Sequence, residues 1–328
     1  MIRKGEFKLA KYKVFVTDQR QPSFEIERHI LEECDAELIL CDCKTSDDII
    51  RECALEADAI LLDLAPMDGK AIRAFKKCKA INRYGVGVDN VDIKVATECG
   101  IQVTNVPDYC MEDVSDHAVA MMLACMRNIA MRDRLVRTGH WNIQAPSYRL
   151  KDKTLGVVGA GRIARALIRK VSGFGFKEVV AYDPFISAEN LKEIGVRKVE
   201  FDELLSVSDI ISLHLNLTDE TRGIINAEAF SKMKDTALLV NVSRGGLIDD
   251  DALIDALKNH KIMGAGLDTH CIEPVPMNSE YMKLDSVILT DHAAYNTVEG
   301  VTELKTKAAK NILAVLQGQT PAYPVNKL

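Results

Sequence analysis

The sequence predicts an α/β protein made of two parallel-sheet domains of the Rossmann-like or flavodoxin-like kind. Three observations carry that prediction. Short apolar runs of strand length alternate with helical patterns of roughly 10–15 residues, the rhythm of β-α-β units. A glycine-rich turn, Gly159-Ala160-Gly161, stands between an apolar run and a helical stretch. The chain's 328 residues exceed one typical core and suit two domains.

In the first third, residues 13–16, 37–40, 59–62, 80–81 and 101–104 read as strands, and 23–34, 46–57 and 69–77 as helices. Residues 112–138 carry Val114, Ala118, Met121, Met122, Cys125, Met126, Ile129 and Met131 at helical spacing. At about 1.5 Å per residue this predicts one helix of roughly 35–40 Å. Its apolar surface suits an inter-domain link or a subunit interface, with ordinary core packing of a methionine stripe as the alternative. A buried-strand run over 154–158 opens a second set of β-α units that extends to about residue 290. The tail from 297 starts as a helix (Val301, Leu304, Ala308, Ile312, Leu316) and is stopped by Pro321 and Pro324. Because it follows the second set, it is expected to pack back on the first.

Composition narrows the function. The chain is 47% hydrophobic and 27% charged, with a net charge of -6 and a pI near 5.7. There is no basic stripe of the kind that phosphate-backbone binding requires, so nucleic acid is a poor candidate partner. The opening segment has lysines but no apolar leader region. Apolar runs such as 59–62 fall far below the roughly 20 residues that span a bilayer. These features point to a cytoplasmic enzyme with no membrane partner. Of the nine cysteines only Cys41 and Cys43 are close, and a lone C-x-C lacks the second pair of a zinc site. They read as reduced, small buried hydrophobes, and no metal is expected.

Residues 159–164, Gly-Ala-Gly-Arg-Ile-Ala, match G-x-G-x-x-G/A with a strand before and a helix after. Gly159 allows the tight turn, and Gly161 lets backbone N–H groups reach a pyrophosphate. Ala164 is small enough for the helix to press on the sheet. The helix N-terminus, at Arg162 and Ile163, adds partial positive charge. The next strand, 179–182, ends in Asp183, 22 residues after Gly161 where about 20 is usual. A carboxylate there accepts both ribose hydroxyls and repels a 2′-phosphate, so the predicted cofactor is NAD.

Three further strands run into ionisable residues. Strand 237–240 leads to Arg244, strand 265–267 to Asp268 and Glu273, and strand 287–290 to Asp291 and His292. In a parallel sheet these carboxyl ends converge on one crevice. Hydride exchange at a carbonyl carbon needs a proton manager and a group that fixes the substrate. His292 suits the first task, oriented by Glu273. The guanidinium of Arg244 suits the second, gripping a carboxylate bidentately.

These residues resemble the D-isomer-specific 2-hydroxyacid dehydrogenase family over most of residues 57–296. The segment 83–92, Arg-Tyr-Gly-Val-Gly-Val-Asp-Asn-Val-Asp, is similar to the substrate-domain loop, which implies that Val86 and Gly87 help hold the substrate carboxylate. Residues 103–107 resemble the crossing into the cofactor domain, and 115–118 the start of its long helix. The run 241–249 resembles the motif of the catalytic arginine, Arg244, with Ser243 and His214 beside the cofactor. Residues 267–274 resemble the segment of the catalytic Glu273, which sets Asp268 near the nicotinamide amide. His292-Ala293-Ala294 resembles the acid/base segment, and within the family these motifs are most similar to the branch of C-terminal-binding-protein corepressors. The resemblance implies a cofactor domain, 106–296, inserted into a split substrate domain, 1–105 plus 297–328, and a homodimer built on the cofactor domain.

The sequence departs from the family where Thr269-His270 replaces Val-Phe, where Asp291 replaces Pro, and at Tyr295, a Trp position in the corepressor branch. Leu64 and Ala65 lie in the loop that lines the substrate side chain, with Tyr295 as a further wall. That loop, Asp-Leu-Ala-Pro-Met over 63–67, is largely apolar, which favours a small or apolar 2-keto acid over phosphoglycerate. The expected activity is NAD-dependent 2-ketoacid reduction; the alternatives are a corepressor-like NADH sensor, a D-3-phosphoglycerate dehydrogenase and, less well matched, a formate-type oxidation.

Overall fold

Parallel strand pairing builds two separate sheets in the computed structural model, which describes residues 10–20 and 22–328. Segment 1–9, examined above for a leader, lies outside the described residues. In chain order the elements are β1 (Tyr12–Val16), α1 (Glu25–Leu31), β2 (Ala36–Leu40), α2 (Ser46–Cys53), β3 (Ala59–Leu62), α3 (Gly69–Ala74), β4 (Ala80–Arg83), α4 (Ile93–Glu98) and β5 (Gln102–Thr104). There follow α5 (Met111–Met126), α6 (Ile129–Arg137), β6 (Thr154–Val158), α7 (Arg162–Val171), β7 (Glu178–Tyr182), α8 (Ala188–Lys192), β8 (Arg197–Lys198), α9 (Phe201–Val207) and β9 (Ile210–Leu213). The chain ends with α10 (Ala227–Lys232), β10 (Leu238–Asn241), α11 (Asp250–Lys258), β11 (Gly264–Leu267), β12 (Val287–Leu289) and α12 (Val298–Leu316). Contacts divide it into two compact units, one reaching Tyr109 and taking in Val298–Leu328, the other Cys110–Thr297.

The first unit has the sheet order β2-β1-β3-β4-β5, all parallel. Its short helices start on polar caps: Thr45 and Asp48 form a capping box on α2, Asp68 caps α3 and Asp92 caps α4. The fully buried strand β3 reads as a continuous apolar run because helices cover both faces of a parallel sheet, while β4, equally buried, ends in Asn82 and Arg83. The C-terminal segment returns to this unit. Helix α12 packs on α1, β3 and β4, and the Asn326 carboxamide oxygen accepts the Val103 N–H at 2.7 Å.

The second unit has the order β12-β11-β10-β9-β6-β7-β8, also all parallel. The winding reverses between β6 and β9, so their carboxyl ends open a crevice that no crossover helix covers. Its core joins the strands to α9, α10 and α11 through residues such as Leu204, Phe230, Leu239 and Leu253.

The single helix expected over 112–138 is two helices. Asn128 takes a left-handed backbone (φ 54°) that ends the run of α5, and α6 starts from it. Asparagine tolerates that conformation, and here its Nδ2 donates to the Pro146 carbonyl at 2.6 Å. The methionine stripe divides accordingly. Met121, Met122 and Met126 on α5 are core residues, packed where Gly266 of β11 leaves room for Met121. Helix α6 buries none of its side chains.

Candidate active site

The glycine turn follows directly from β6. Gly159 has φ 88°, and a Cβ there would lie 2.9 Å from the backbone carbonyl of His214, so both conformation and space require glycine. Its N–H donates to the Tyr182 carbonyl at 2.8 Å, tying the turn to the end of β7. Asp183, only 8% exposed, accepts the Ala160 N–H at 2.9 Å and the Phe185 N–H at 2.9 Å. A carboxylate offers about four lone-pair directions, so two remain for a ligand.

The space over the turn is open. A Cβ on Gly161 would meet no atom within 4 Å, and no side chain caps α7, whose first turn holds exposed Arg162 and half-buried Ile163. The leading amides of that helix are thus left for a phosphate. His214 closes the other side: its N–H donates to the Val158 carbonyl at 2.8 Å, and its Nε2 lies 2.9 Å from the Ser212 hydroxyl. Burial pushes its imidazole down to about 4, so the ring is neutral near pH 7.

Arg244 leaves β10 through a turn that Asn241 brackets. The buried Asn241 side chain accepts the Ser243 N–H at 3.0 Å and donates to the Arg244 carbonyl at 2.9 Å. Ser243 donates to the Leu213 carbonyl at 2.9 Å, and the Arg244 guanidinium to the Ser243 carbonyl at 2.8 Å. Gly245 brings this turn against the loop after β11, since a Cβ there would sit 2.0 Å from the His270 carbonyl carbon.

Asp268, with no exposure, organises the histidine turn. Its carboxylate accepts the Thr290 hydroxyl at 2.6 Å and the N–H groups of Ala293 and Ala294 at 2.9 and 3.1 Å. Its carbonyl accepts the His292 N–H at 2.8 Å. These bonds hold His292 at φ 56°, a left-handed conformation that a non-glycine residue adopts only when its surroundings enforce it. His292 Nδ1 is 2.9 Å from Glu273 Oε2, and Glu273 Oε1 accepts the His270 N–H at 3.0 Å. Burial opposes charge on Glu273, but the bonds from His292 and His270 outweigh it and hold the carboxyl below its ordinary value. Because a carboxylate only accepts, Nδ1 carries its hydrogen, which leaves Nε2 to exchange a proton. Tyr295 stands edge-on to this ring, with centroids 6.3 Å apart. Asp291, beside the histidine in sequence, is exposed, and the carboxylate that meets the ring is Glu273.

In the first unit, Leu64 is 43% exposed while Ala65 belongs to the core. Sequence reasoning missed what holds their loop. The Asp18 carboxylate, at the end of β1, accepts the N–H groups of Asp63 and Ala65 at 2.8 Å each, and that of Leu64. Asn90 donates to the Asp63 and Ala65 carbonyls, both at 2.9 Å. Val86 and Gly87 are half-buried, and the Asn105 side chain donates to the Val86 carbonyl at 2.6 Å. No motif flagged Asp18, and the segments containing Thr290 and His117 gave neither a role; His117 Nε2 lies 3.1 Å from the Thr290 hydroxyl.

A dinucleotide turn at a strand-order reversal, with a Glu–His pair and an arginine turn at neighbouring strand ends, defines a nicotinamide-dependent oxidoreductase. Residues 119–294 match the model of the D-isomer specific 2-hydroxyacid dehydrogenase NAD-binding domain. The chain is 37% identical over 325 residues to a glyoxylate reductase of Korarchaeum cryptofilum, covering 97% of this chain and 96% of that protein. It is 38% identical over 281 residues to a D-3-phosphoglycerate dehydrogenase of Archaeoglobus fulgidus, covering 85% of this chain but 53% of that one. A solved structure of D-lactate dehydrogenase from Aquifex aeolicus with NAD and lactic acid superposes with a TM-score of 0.84 at 27% identity, over 96% and 99% of the two chains. The chain belongs to the D-isomer specific 2-hydroxyacid dehydrogenase family and is an NAD-dependent oxidoreductase acting on the CH–OH group of 2-hydroxy acids. Among the described residues no helix is long and apolar enough to cross a membrane.

Proposed function

We propose that this chain reduces small 2-keto acids, glyoxylate foremost, with NADH, using Arg244, Glu273 and His292. The observation that carries the reading is the 2.9 Å contact between His292 Nδ1 and Glu273 Oε2, which commits that nitrogen and leaves Nε2 as the acid. In this reading protonated Nε2 gives its proton to the keto oxygen as the carbonyl carbon is reduced, and Glu273 stabilises the imidazolium beforehand. Arg244 pairs with the substrate carboxylate and polarises the carbonyl. NAD, when bound, supplies the hydride chemistry at the nicotinamide. Gly159, Gly161, Arg162 and Ile163 would hold its pyrophosphate and Asp183 its ribose, with His214 and Ser243 flanking it and Asp268 near the nicotinamide amide. Residues 106–296 form the cofactor domain and 1–105 with 297–328 the substrate domain, within four residues of the bounds of the two compact units.

Substrate size follows from the loop at Leu64 and Ala65. Its three amides are already filled by Asp18 and residues 64–67 are apolar, so the loop itself offers a phosphate no donor, while Arg20 and Arg83 each stand 3.6 Å from Asp63. That favours glyoxylate over a phosphorylated acid, in line with the glyoxylate reductase relative. The test follows NADH oxidation with glyoxylate, pyruvate, phenylpyruvate and 3-phosphohydroxypyruvate. Turnover of the phosphorylated acid alone would sink the substrate assignment. NADH binding with no turnover of any acid would favour the corepressor-like sensor. Replacing His292 by Ala should lower kcat about 10³-fold and leave NADH binding intact; loss of both would mean the site is elsewhere.

A homodimer through the cofactor domain is part of this reading. It is supported by α6, with no buried side chain, and by Ile129, Val136 and Trp141, which are 54%, 46% and 78% exposed. Sedimentation of the native chain and of a Trp141→Asp variant tests it: a native monomer rules it out. A cytoplasmic location suits a chain with nine cysteines, and cell fractionation checks it.

A further inference from the structure

Behind Glu273 and His292 stands a second imidazole that the reaction as described does not use. His270 Nε2 lies 2.9 Å from the Thr290 carbonyl oxygen. A carbonyl only accepts, so Nε2 carries the hydrogen, and in the neutral ring Nδ1 is a bare acceptor. That Nδ1 is buried and has no hydrogen-bond partner. Leaving a ring nitrogen unmatched in the interior is unfavourable, and an apolar ring would fill the same volume without that cost. What imidazole adds is one donor, aimed at one carbonyl.

That carbonyl belongs to the residue on which the histidine turn is anchored. The Thr290 N–H donates to the Leu267 carbonyl at 3.0 Å. Its hydroxyl donates to Asp268 at 2.6 Å and lies 3.1 Å from His117 Nε2. Two residues later the chain enters the left-handed conformation of His292. On its other side, His270 gives its main-chain N–H to Glu273 Oε1 at 3.0 Å. One residue therefore grips the carboxylate through its backbone and the end of β12 through its ring.

We propose that His270 is a positioning residue, clamping the Glu273 loop to Thr290 so that Oε2 of Glu273 stays on Nδ1 of His292. The inference rests on the reading of Glu273 and His292 as the acid–base pair. Without the clamp the loop after β11 keeps its packing but loses the bond that fixes its distance from the histidine turn, and misplacement on the ångström scale is enough to slow a proton transfer.

The test compares His270→Phe, which keeps a ring of similar size and deletes the donor, with His270→Gln, whose amide restores an N–H at similar reach. With glyoxylate and NADH, H270F should lower kcat about tenfold and leave the KM for NADH within twofold of the native value. H270Q should recover to within about threefold. If H270F does not fold, H270L against H270Q makes the same comparison. The proposal is overturned if H270F keeps kcat within twofold, if H270Q is as impaired as H270F, or if NADH affinity falls in proportion to kcat. His292→Ala, measured in parallel, separates this inference from the reading beneath it. Activity retained in H292A removes the acid–base pair itself, whereas a dead H292A beside an unimpaired H270F removes only the role of His270.

Discussion

Replacing Gly245 by Ala places one methyl group between the two loops that carry the proposed catalytic side chains. The backbone of Gly245 has no left-handed requirement, so the effect is purely of space. An ideal Cβ would lie 2.0 Å from the His270 carbonyl carbon and 2.3 Å from the Cys271 nitrogen, whereas carbons pack at roughly 3.5–4.0 Å. Both neighbours are backbone, so no side chain can swing aside, and the loops must part by about 1.5 Å. Overpacking of this kind costs about 1–3 kcal/mol of stability. The catalytic cost is larger, because Arg244 precedes the parted residue and Glu273 follows it on the other loop, and a 1 Å misplacement can lower rates about 10²-fold. The expected result is a folded G245A protein with a modestly lower Tm, kcat reduced about 10²-fold with glyoxylate, and NADH binding by fluorescence within a few-fold of native. A native kcat would refute the claim that this close approach sets the site, and parallel loss of NADH affinity would show that the change spreads to the cofactor turn.

Two further outcomes follow from the cofactor site. Asp183→Asn removes the charge that faces a ribose while keeping an acceptor for the Ala160 N–H, so the KM for NADH should rise about 10- to 100-fold, from hydrogen bonds worth about 1.5–3 kcal/mol, and the discrimination against NADPH should shrink; unchanged KM for both cofactors would exclude Asp183 from the ribose site. His214 binds its proton at about 4 in the folded chain, against 6.5 ordinarily, so below pH 6.5 the unfolded state takes up a proton that the folded state refuses. The contribution is whole above pH 6.5 and is lost as pH falls toward 4, amounting to about 3 kcal/mol at 1.36 kcal/mol per unit. Denaturant unfolding at pH 7 and pH 4 should show that difference between native protein and His214→Phe, and equal pH dependence in the two would mean the ring is solvated.

Much of this molecule is written in local pattern. The alternation of short apolar strands and capped helices announces parallel sheets because each element carries its own periodicity and its own stop signals. Gly159, Gly161 and Asp183 are legible for the same reason: a tight turn, an open approach to a helix end and a carboxylate at the next strand end are all requirements on residues within one β-α-β unit. The break at Asn128 was not legible, since the apolar spacing runs through it unaltered and only the bond to Pro146, 18 residues away, shows the left-handed turn.

Arg244, Glu273 and His292 stand between these cases. Their residue types and their positions after strands were apparent from the sequence, but the 2.9 Å contact between Glu273 and His292 spans 19 residues and exists only because β11 and β12 lie side by side. The partners of Asp268, Thr290 and His270 were decided by tertiary structure alone. Asp268 turns its carboxylate onto two amides 25 and 26 residues ahead, and Asp18 fills a loop more than 40 residues beyond it. Such bonds depend on which strand ends converge, and no periodicity of 2 or 3.6 residues encodes that. The sequence by itself determined the parallel sheets, the dinucleotide turn and the residue types at the strand ends. Tertiary structure decided what holds them, because a hydrogen bond is satisfied by whatever donor the fold brings near, not by its neighbour in the chain.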